Sequence, residues 1–197
     1  MGIANDVDQM SWPDADFETA IEAAQAGDDS AVAFLYDQIQ PTLLRYLRWQ
    51  ETSMAEDLAS EVWLAVAVGL PRFEGNEAAF KGWIFAIARR RLADHRRRMG
   101  RRNTHALPYD PLSQRPVDDD PAELVTSRMS AQDAIAALTS ALPAEQAEVI
   151  MLRVVGGLPV EEVARVVGKR PGTVRVLQHR ALRRLASQLK DDFPLEV

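Results

Sequence analysis

The sequence predicts an all-α protein made of two small helical domains joined by an extended linker. Apolar residues recur at spacings of three and four along most of the chain, and alternating strand-like runs are scarce. The 197 residues suffice for one moderate core or two small ones. Residues 101–121 contain four prolines and little periodicity, which is typical of a linker. We therefore expect an acidic N-terminal segment at residues 1–15 and a first domain at 16–100. The linker follows at 101–121, and the second domain occupies 122–197.

The composition excludes several classes of protein. The chain has no cysteine, so disulfides and thiolate metal sites are ruled out. Its start, MGIANDVDQM, lacks the basic residues and apolar core of a signal peptide. No apolar run approaches the roughly 18 residues needed to span a membrane. The sequence therefore predicts a cytoplasmic protein without a metal or cofactor.

Charge is distributed in blocks along a chain whose net charge is −6. Residues 1–44 contain no lysine or arginine, whereas residues 81–102 carry nine basic residues and a single acid. Residues 110–123 are acidic again, and the stretch 158–185 is basic. Two basic blocks separated by an acidic segment predict two modules that face DNA.

The first domain is expected to begin with two helices. An amphipathic helix starts near Asp16 and ends at Gly27. Asp28 is a good N-cap for the helix that follows, because its carboxylate can accept from free backbone N–H groups. Pro41 is expected to break or kink this second helix, since proline lacks an N–H and clashes with the preceding turn.

Two more helices complete the first domain. Ser53 and Glu56 have capping-box spacing ahead of the third helix, whose apolar positions are Leu58, Val62, Leu64, Ala65 and Val68. A long arginine-rich helix then runs from about Ala79 to Met99. Its buried stripe consists of Phe80, Trp83, Ile84, Ile87, Ala88 and Leu92.

The second domain ends in a predicted helix-turn-helix. After a helix over 143–155, the residues Val160, Val163, Ala164 and Val167 form one apolar helical face. Gly168 ends that helix, and Pro171 suits the first turn of the next. The buried stripe of this last helix is Val174, Leu177, Ala181, Leu182 and Leu185, which leaves its arginines on other faces. Such a second helix typically enters a DNA major groove.

Four segments in this order resemble the extracytoplasmic-function (ECF) group of the sigma-70 family of sigma factors. They are GDDSAVAFLYDQIQPTLLRYL, AEDLASEVWLAV, FKGWIFAIARRRLADHRRR, and the stretch from LPAEQAEVIMLRVVGG through VARVVGKRPGTVRVLQHRAL. The resemblance covers about residues 17–189. It implies that the two domains are sigma domains 2 and 4, and that the protein directs promoter-specific initiation by RNA polymerase.

The resemblance places a polymerase-docking site on the third helix. Its partner in the family is a coiled coil of the β′ clamp that presents basic and apolar groups. The implied docking residues are Glu56, Asp57, Leu58, Glu61, Val62 and Trp63. Leu58 and Val62 also fit a purely structural role in the core. Ser60 stands where the family commonly has glutamine.

The resemblance also assigns the −10 promoter element to the long helix and the loop before it. A positive groove follows the phosphates of a melted strand, and aromatic surfaces accept its unstacked bases. The implied −10 residues are Phe73, Asn76, Lys81, Arg89, Arg90, Arg96 and Arg97. Arg90 replaces the usual asparagine, so we expect a phosphate contact there instead of base readout.

The helix-turn-helix is assigned to the −35 element, which must be read by side chains that reach base edges. The implied −35 residues are Lys169, Arg170, Thr173, Arg175, Val176, His179 and Arg180. Val176-Leu177 replaces a serine and an arginine of the common ECF pattern, so the family's −35 sequence does not carry over. Arg170 replaces a capping serine or threonine.

The implied partners are core RNA polymerase, through its β′ clamp and β flap, promoter DNA, and an anti-sigma factor, with no small-molecule substrate. The acidic run Asp118-Asp119-Asp120 fits either a nucleic-acid mimic in a polymerase channel or a solvated spacer.

One competing interpretation is a stand-alone helix-turn-helix regulator. Another is an enzyme such as a nuclease using His95 or His105, but no metal-site spacing supports it.

Overall fold

The computed structural model describes residues 16–105 and 139–192, and every regular element within these ranges is helical. The first four helices are α1 (Phe17–Gln25), α2 (Asp29–Gln50), α3 (Ala55–Gly69) and α4 (Glu77–His105). The later ones are α5 (Ala144–Ile150), α6 (Val160–Val167) and α7 (Pro171–Asp192). Short 3-10 turns at Thr52–Met54 and Leu70–Arg72 flank α3, and a π-helical turn at Met151–Val155 extends α5. The all-α prediction is confirmed.

Helices α1–α4 pack around a core of large apolar side chains. Tyr46, Phe80 and Phe85 are fully buried, and Tyr46 meets Phe85 edge to face at 5.4 Å between ring centroids. Val149 of α5, the buried apolar residues of α6 and Val174 at the start of α7 join the same apolar cluster. The two halves of the chain therefore contact each other directly. The predicted linker lies mostly outside the described residues, and only its first part, at the end of α4, is within them.

Three local predictions in the first half need correction. Pro41 does not break α2, which continues through it, because Ile39 and Leu43 on either side are buried and anchor the flanking turns. The capping box does not form, since Ser53 bonds Glu51 and the 3-10 turn moves the start of α3 to Ala55. Helix α4 continues to His105, past its expected end at about Met99.

The helix-turn-helix forms as predicted. Gly168 has φ +69°, the left-handed backbone that favours glycine, and the next N–H, on Lys169, bonds the carbonyl of Ala164 at 2.9 Å. Pro171 is the first residue of α7. Val174 and Ala181 are buried as expected, but Leu182 is half exposed, so its assignment to the buried stripe is wrong.

The cap of α2 gives a first testable prediction. The Asp28 carboxylate accepts from the backbone N–H groups of Ser30 at 2.8 Å and Ala31 at 3.1 Å, and from the Ser30 hydroxyl. These bonds, that of the Ser30 side chain first, lower the pKa of Asp28 below its ordinary 3.8. A lowered pKa in the folded state means that the cap stabilises above the unfolded pKa and is lost as pH falls below it.

We expect Asp28→Ala to lower the midpoint of thermal unfolding at pH 7 by about 2–4 °C. Asp28→Asn, which keeps a capping oxygen, should stay close to the wild type. Circular dichroism melts at pH 7 and pH 3 check both points. The difference between wild type and Asp28→Ala should shrink at pH 3, and an unchanged difference would contradict the cap assignment.

Candidate docking surface and nucleic-acid interface

The predicted docking helix α3 turns an acidic and apolar face outward. Glu56 and Asp57 are exposed, and Glu61 is half-buried. Leu58 and Val62 are only 1% and 0% exposed, so their assignment as docking contacts is wrong. They face α2 and α4 and form the core, which the sequence left open as an alternative.

The outward apolar residues of α3 are Leu64 and Val68, which are 70% and 82% exposed. The sequence named both among the apolar positions of this helix, without distinguishing which positions face the core. Leu64 lines an apolar groove of about 450 Å³ together with Val32 and Tyr36 of α2, and Val68 lies one turn farther along α3. The sequence does indicate such a surface, because apolar residues occupy more of the circumference of α3 than the face that packs on the core needs.

Trp63 forms one wall of this groove, which below is called the α2–α3 groove. Its indole Nε1 donates to Gln40 Oε1 at 2.7 Å, and its ring lies 4.9 Å from that of Tyr36. These contacts fix the orientation of the half-buried indole. A large apolar ring with its polar atom already satisfied is well suited to anchor a partner.

Two acidic side chains of α3 lie beside arginines of the neighbouring helices. Glu61 lies 3.8 Å from both Arg91 and Arg98 of α4. Glu56 accepts from Arg48 of α2 at 2.6 Å, and this hydrogen bond lowers the pKa of Glu56. Both carboxylates are therefore held in place, and neither is among the residues that line the groove.

The arginines of α4 lie on several faces of the helix, and some of them are exposed. Arg90, Arg96 and Arg97 are exposed. Arg96 donates to Gln50 at 2.7 Å, and Arg97 pairs with Asp94, whose pKa is lowered chiefly by that bond. Their charges remain available to solvent and to phosphates.

The other predicted −10 residues on α4 and its preceding loop have structural partners of their own. Asn76 Oδ1 accepts from the N–H of Ala79 at 3.0 Å, and so caps α4, a role that the sequence did not reveal. Lys81 pairs with Glu77, and its Nζ lies 5.2 Å from the centre of the Phe17 ring. These contacts orient both side chains on the same edge of α4.

Phe73 belongs to an aromatic cluster at this edge. Its ring stacks on Trp83 at 5.2 Å and meets Phe80 edge to face at 5.1 Å. Gly75, with φ +151°, lets the loop backbone pass close to Phe73 and α4. Phe73 and Trp83 line a cavity of about 550 Å³, which Glu162 and Arg165 of α6 close from the other side.

The predicted −35 residues lie on and just before α7. Arg170, Thr173, Val176, His179 and Arg180 are exposed. Arg175 pairs with Glu161 at 2.8 Å and Lys169 with Glu145 at 2.8 Å. Arg175 and Glu161 are both exposed, so their pair costs little to exchange for a phosphate or base contact, whereas Lys169 is half-buried.

Comparisons with known proteins identify the chain. Residues 35–102 match the family model "Sigma-70 region 2", and residues 132–185 match "Sigma-70, region 4". The ECF RNA polymerase sigma factor SigD of Mycobacterium bovis is 35% identical over 178 residues, which cover 87% of this chain and 83% of SigD. The sigma factor ShbA of Streptomyces griseus is 37% identical over 174 residues, 84% of this chain and 91% of ShbA.

Solved structures share the fold. CnrH in complex with the cytosolic domain of CnrY aligns with a TM-score of 0.61 at 20% identity, covering 91% of this chain and 100% of that chain. The sigma factor RpoE of Bartonella quintana, in complex with the anti-sigma factor NepR, aligns with a TM-score of 0.57 at 23% identity, covering 80% and 96%.

The chain belongs to the ECF RNA polymerase sigma factors of the sigma-70 family. It is therefore a transcription initiation factor that directs promoter-specific transcription, which supports the main interpretation over the stand-alone regulator.

Two searches of the described residues found nothing further. None of the helices at 16–105 and 139–192 is long and apolar enough to cross a membrane. Within the same ranges, no group of three or more histidine, aspartate or glutamate side chains is arranged to hold a metal ion.

Proposed function

We propose that this sigma factor divides its work among three surfaces. The α2–α3 groove docks on the clamp coiled coil of the β′ subunit, α4 with its preceding loop melts and holds the −10 element, and α7 reads the −35 element. The second domain also contacts the flap of the β subunit. The chain supplies no catalysis of its own and takes no cofactor or small-molecule substrate. It acts in the cytoplasm, where the chromosome and polymerase are.

The observation that carries this proposal is the placement of two unlike surfaces on one small helical unit. The α2–α3 groove is lined almost entirely by apolar side chains, and the neighbouring α4 is rich in arginine. The groove fits the apolar groups of a partner helix, and the exposed carboxylates of Glu56 and Asp57 at the start of α3 can attract its basic groups. A stand-alone DNA-binding regulator needs no such groove.

On α4, holding a melted strand requires cations for phosphates and flat surfaces for bases. Arg90, Arg96 and Arg97 supply exposed charges along the helix. The Phe73–Trp83 pair supplies an aromatic surface at its N-terminal end. We propose that the non-template strand follows the arginines and that a flipped base is held at this aromatic end.

On α7, Arg175 is placed in the first turns to reach a guanine edge bidentately, and Val176 to contact a thymine methyl group. Lys169, Arg170, His179 and Arg180 fit phosphate contacts that fix the register. The helix inserts as a unit with α6. Because α7 offers only a few side chains for base contacts, the free protein depends on polymerase for useful affinity for promoter DNA.

We also propose that an anti-sigma factor holds the protein inactive until a signal releases it. Membership of the ECF group supports this, since such control is usual among its members.

A gel-shift experiment separates the proposal from a stand-alone regulator. A genomic promoter fragment is incubated with the protein alone, with core polymerase alone, and with both. We expect a specific shift that resists heparin only with both present. Strong specific binding by the free protein, unchanged by core polymerase, would contradict the proposal.

Removing two exposed arginines of α4 should weaken melted-strand binding in proportion to the lost charge. For Arg90→Ala/Arg97→Ala holoenzyme, we expect the slope of log affinity against log salt for a −10 single strand to fall by about 1.4. Fluorescence anisotropy over a salt series measures it. Arg183→Ala/Arg184→Ala, with two exposed arginines on α7, is the control, and an equal drop in slope there would contradict the placement.

A further inference from the structure

Helix α1 is hydrogen-bonded to the segment that joins α3 to α4, residues 70–76, which below is called the −10 loop. Gln25 is the last residue of α1, and its side-chain Nε2 donates to two backbone carbonyls of this loop. The acceptors are Leu70 O at 2.9 Å and Phe73 O at 2.7 Å. They lie 45 and 48 positions away along the chain, so only the tertiary fold brings α1 beside the loop.

The two bonds require a side chain that can donate twice from one nitrogen. An amide NH2 has two hydrogens, and both acceptors are carbonyl oxygens, so Gln25 uses its full donor capacity here. If the amide were turned over, its Oε1 would face two carbonyl oxygens that repel it. Methionine and glutamate have nearly the same reach as glutamine, but at neutral pH neither can donate either bond.

The bonds fix the loop backbone at the residue whose ring forms the proposed base-holding surface. Phe73 has φ −72° and ψ 135°, an extended conformation. Because ψ sets the direction of a residue's carbonyl, holding Phe73 O also fixes the planar peptide that follows it. The backbone position in turn places the ring, which stacks on Trp83 at 5.2 Å.

Helix α1 is itself packed along its length, so the amide of Gln25 has a firm support. At the other end of α1, the Phe17 ring meets Phe80 edge to face at 6.0 Å. Phe80 in turn meets Phe73 edge to face at 5.1 Å. Three residues between the two ends of α1 are buried in the core: Ala20, Ile21 and Ala24.

The far end of the −10 loop is tied to α4. Asn76 Oδ1 accepts from the N–H of Ala79 at 3.0 Å. Between the two tied ends, Gly75 has φ +151°, a backbone that a side chain would strain. The shape of the loop therefore depends on Gln25 at one end and on Asn76 at the other.

We propose that Gln25 is a positioning residue for the −10 element, whose amide holds the −10 loop in the shape that receives the flipped base. The inference rests on the proposed function, since it concerns how the surface at Phe73 and Trp83 is kept in shape. A loop released from Gln25 spends less time in that shape, and the apparent affinity for the base falls by the same fraction. The proposal adds α1 to the promoter-reading part of the chain, although α1 precedes residues 35–102, which match sigma-70 region 2.

The test measures what one base contributes to binding of the −10 strand. Holoenzyme is formed from core polymerase with wild-type or Gln25→Met protein, and its affinity for a fluorescein-labelled non-template −10 strand is measured by anisotropy. Abasic sites are placed one at a time along the strand, and the position where wild type loses most affinity is that of the flipped base. We expect Gln25→Met to lower the contribution of this base by about fivefold, as for the loss of a buried hydrogen bond. Affinity for the strand that is abasic at this position should stay within about twofold of wild type.

Two further variants separate positioning from a loss of stability. Gln25→Glu also lacks the donor, and its charge acts equally on the intact and the abasic strand, so it should show the same loss of the base's contribution. Asp28→Ala weakens the adjacent cap of α2 and leaves the bonds of Gln25 in place, so the contribution should be preserved. The proposal is overturned by an unchanged contribution in both Gln25 variants, by equal losses on the intact and abasic strands, or by the same loss in Asp28→Ala.

Hydrogen exchange of the free protein distinguishes a failure of this inference from a failure of the proposed function. If wild-type holoenzyme has no position in the −10 strand that is sensitive to an abasic site, the proposed holding of a flipped base fails. The N–H of Phe73, which bonds Leu70 O at 3.0 Å, still reports on the loop in that case. Its exchange should be about fivefold faster in Gln25→Met than in wild type or Asp28→Ala. Equal rates in all three would show that Gln25 does not hold the loop.

Discussion

Replacing Leu64 and Val68 with aspartate should weaken binding to core RNA polymerase by about 100-fold or more. Both side chains are exposed in the free protein, at 70% and 82%, so the double variant should fold normally. In the complex, each new carboxylate would be buried against an apolar partner surface without a counter-charge. Losses of 2 kcal/mol or more per anchor, roughly 30-fold, are typical of such central contacts.

A pull-down of core polymerase with immobilised protein, or its titration by fluorescence anisotropy, measures this loss. Met99→Asp is the matched control, since Met99 is an exposed apolar residue on α4, away from the α2–α3 groove. Its binding should stay within about twofold of wild type. Near-wild-type binding of Leu64→Asp/Val68→Asp would show that the groove is not the docking surface.

Arg175→Ala should lower transcription from promoters that depend on their −35 element by about 10- to 100-fold. A bidentate arginine–guanine contact contributes about 1–3 kcal/mol of discrimination. The competing pair with Glu161 is exposed and worth little, so its loss should not change folding. Core binding should remain intact because Arg175 lies on α7, away from the α2–α3 groove.

Multiple-round transcription on paired templates, with an intact and a scrambled −35 element, tests this prediction. Arg175→Ala should bring the two templates to nearly equal use. Arg183→Ala, an exposed arginine farther along the same helix, should preserve the preference. Loss of core binding in Arg175→Ala, or the same loss of preference in Arg183→Ala, would contradict the assignment.

Residues at helix ends whose role depends only on the local backbone were predicted correctly from the sequence. Gly168 ends α6 with a left-handed backbone and Pro171 begins α7, because few other residues suit those positions. Asp28 caps α2 for the same kind of reason. The helical class and the helix-turn-helix follow from such signals together with apolar periodicity.

Features that depend on tertiary packing were not predictable in the same way. Pro41 did not break α2, because burial of its neighbours outweighs the lost hydrogen bond. Leu58 and Leu64 belong to one apolar helix, and periodicity did not determine which of them faces the core. The contact of Gly82 with Glu162 joins residues 80 positions apart and becomes visible only in three dimensions.

Run-off transcription with purified core polymerase tests the central claim most directly. Core alone, and core with this protein, are given a library of genomic promoter fragments, and the 5′ ends of the RNA are mapped. We predict that transcripts with defined starts appear only when the protein is present, and that their upstream sequences share two elements at −10 and −35. The absence of protein-dependent starts across the whole library would contradict the account.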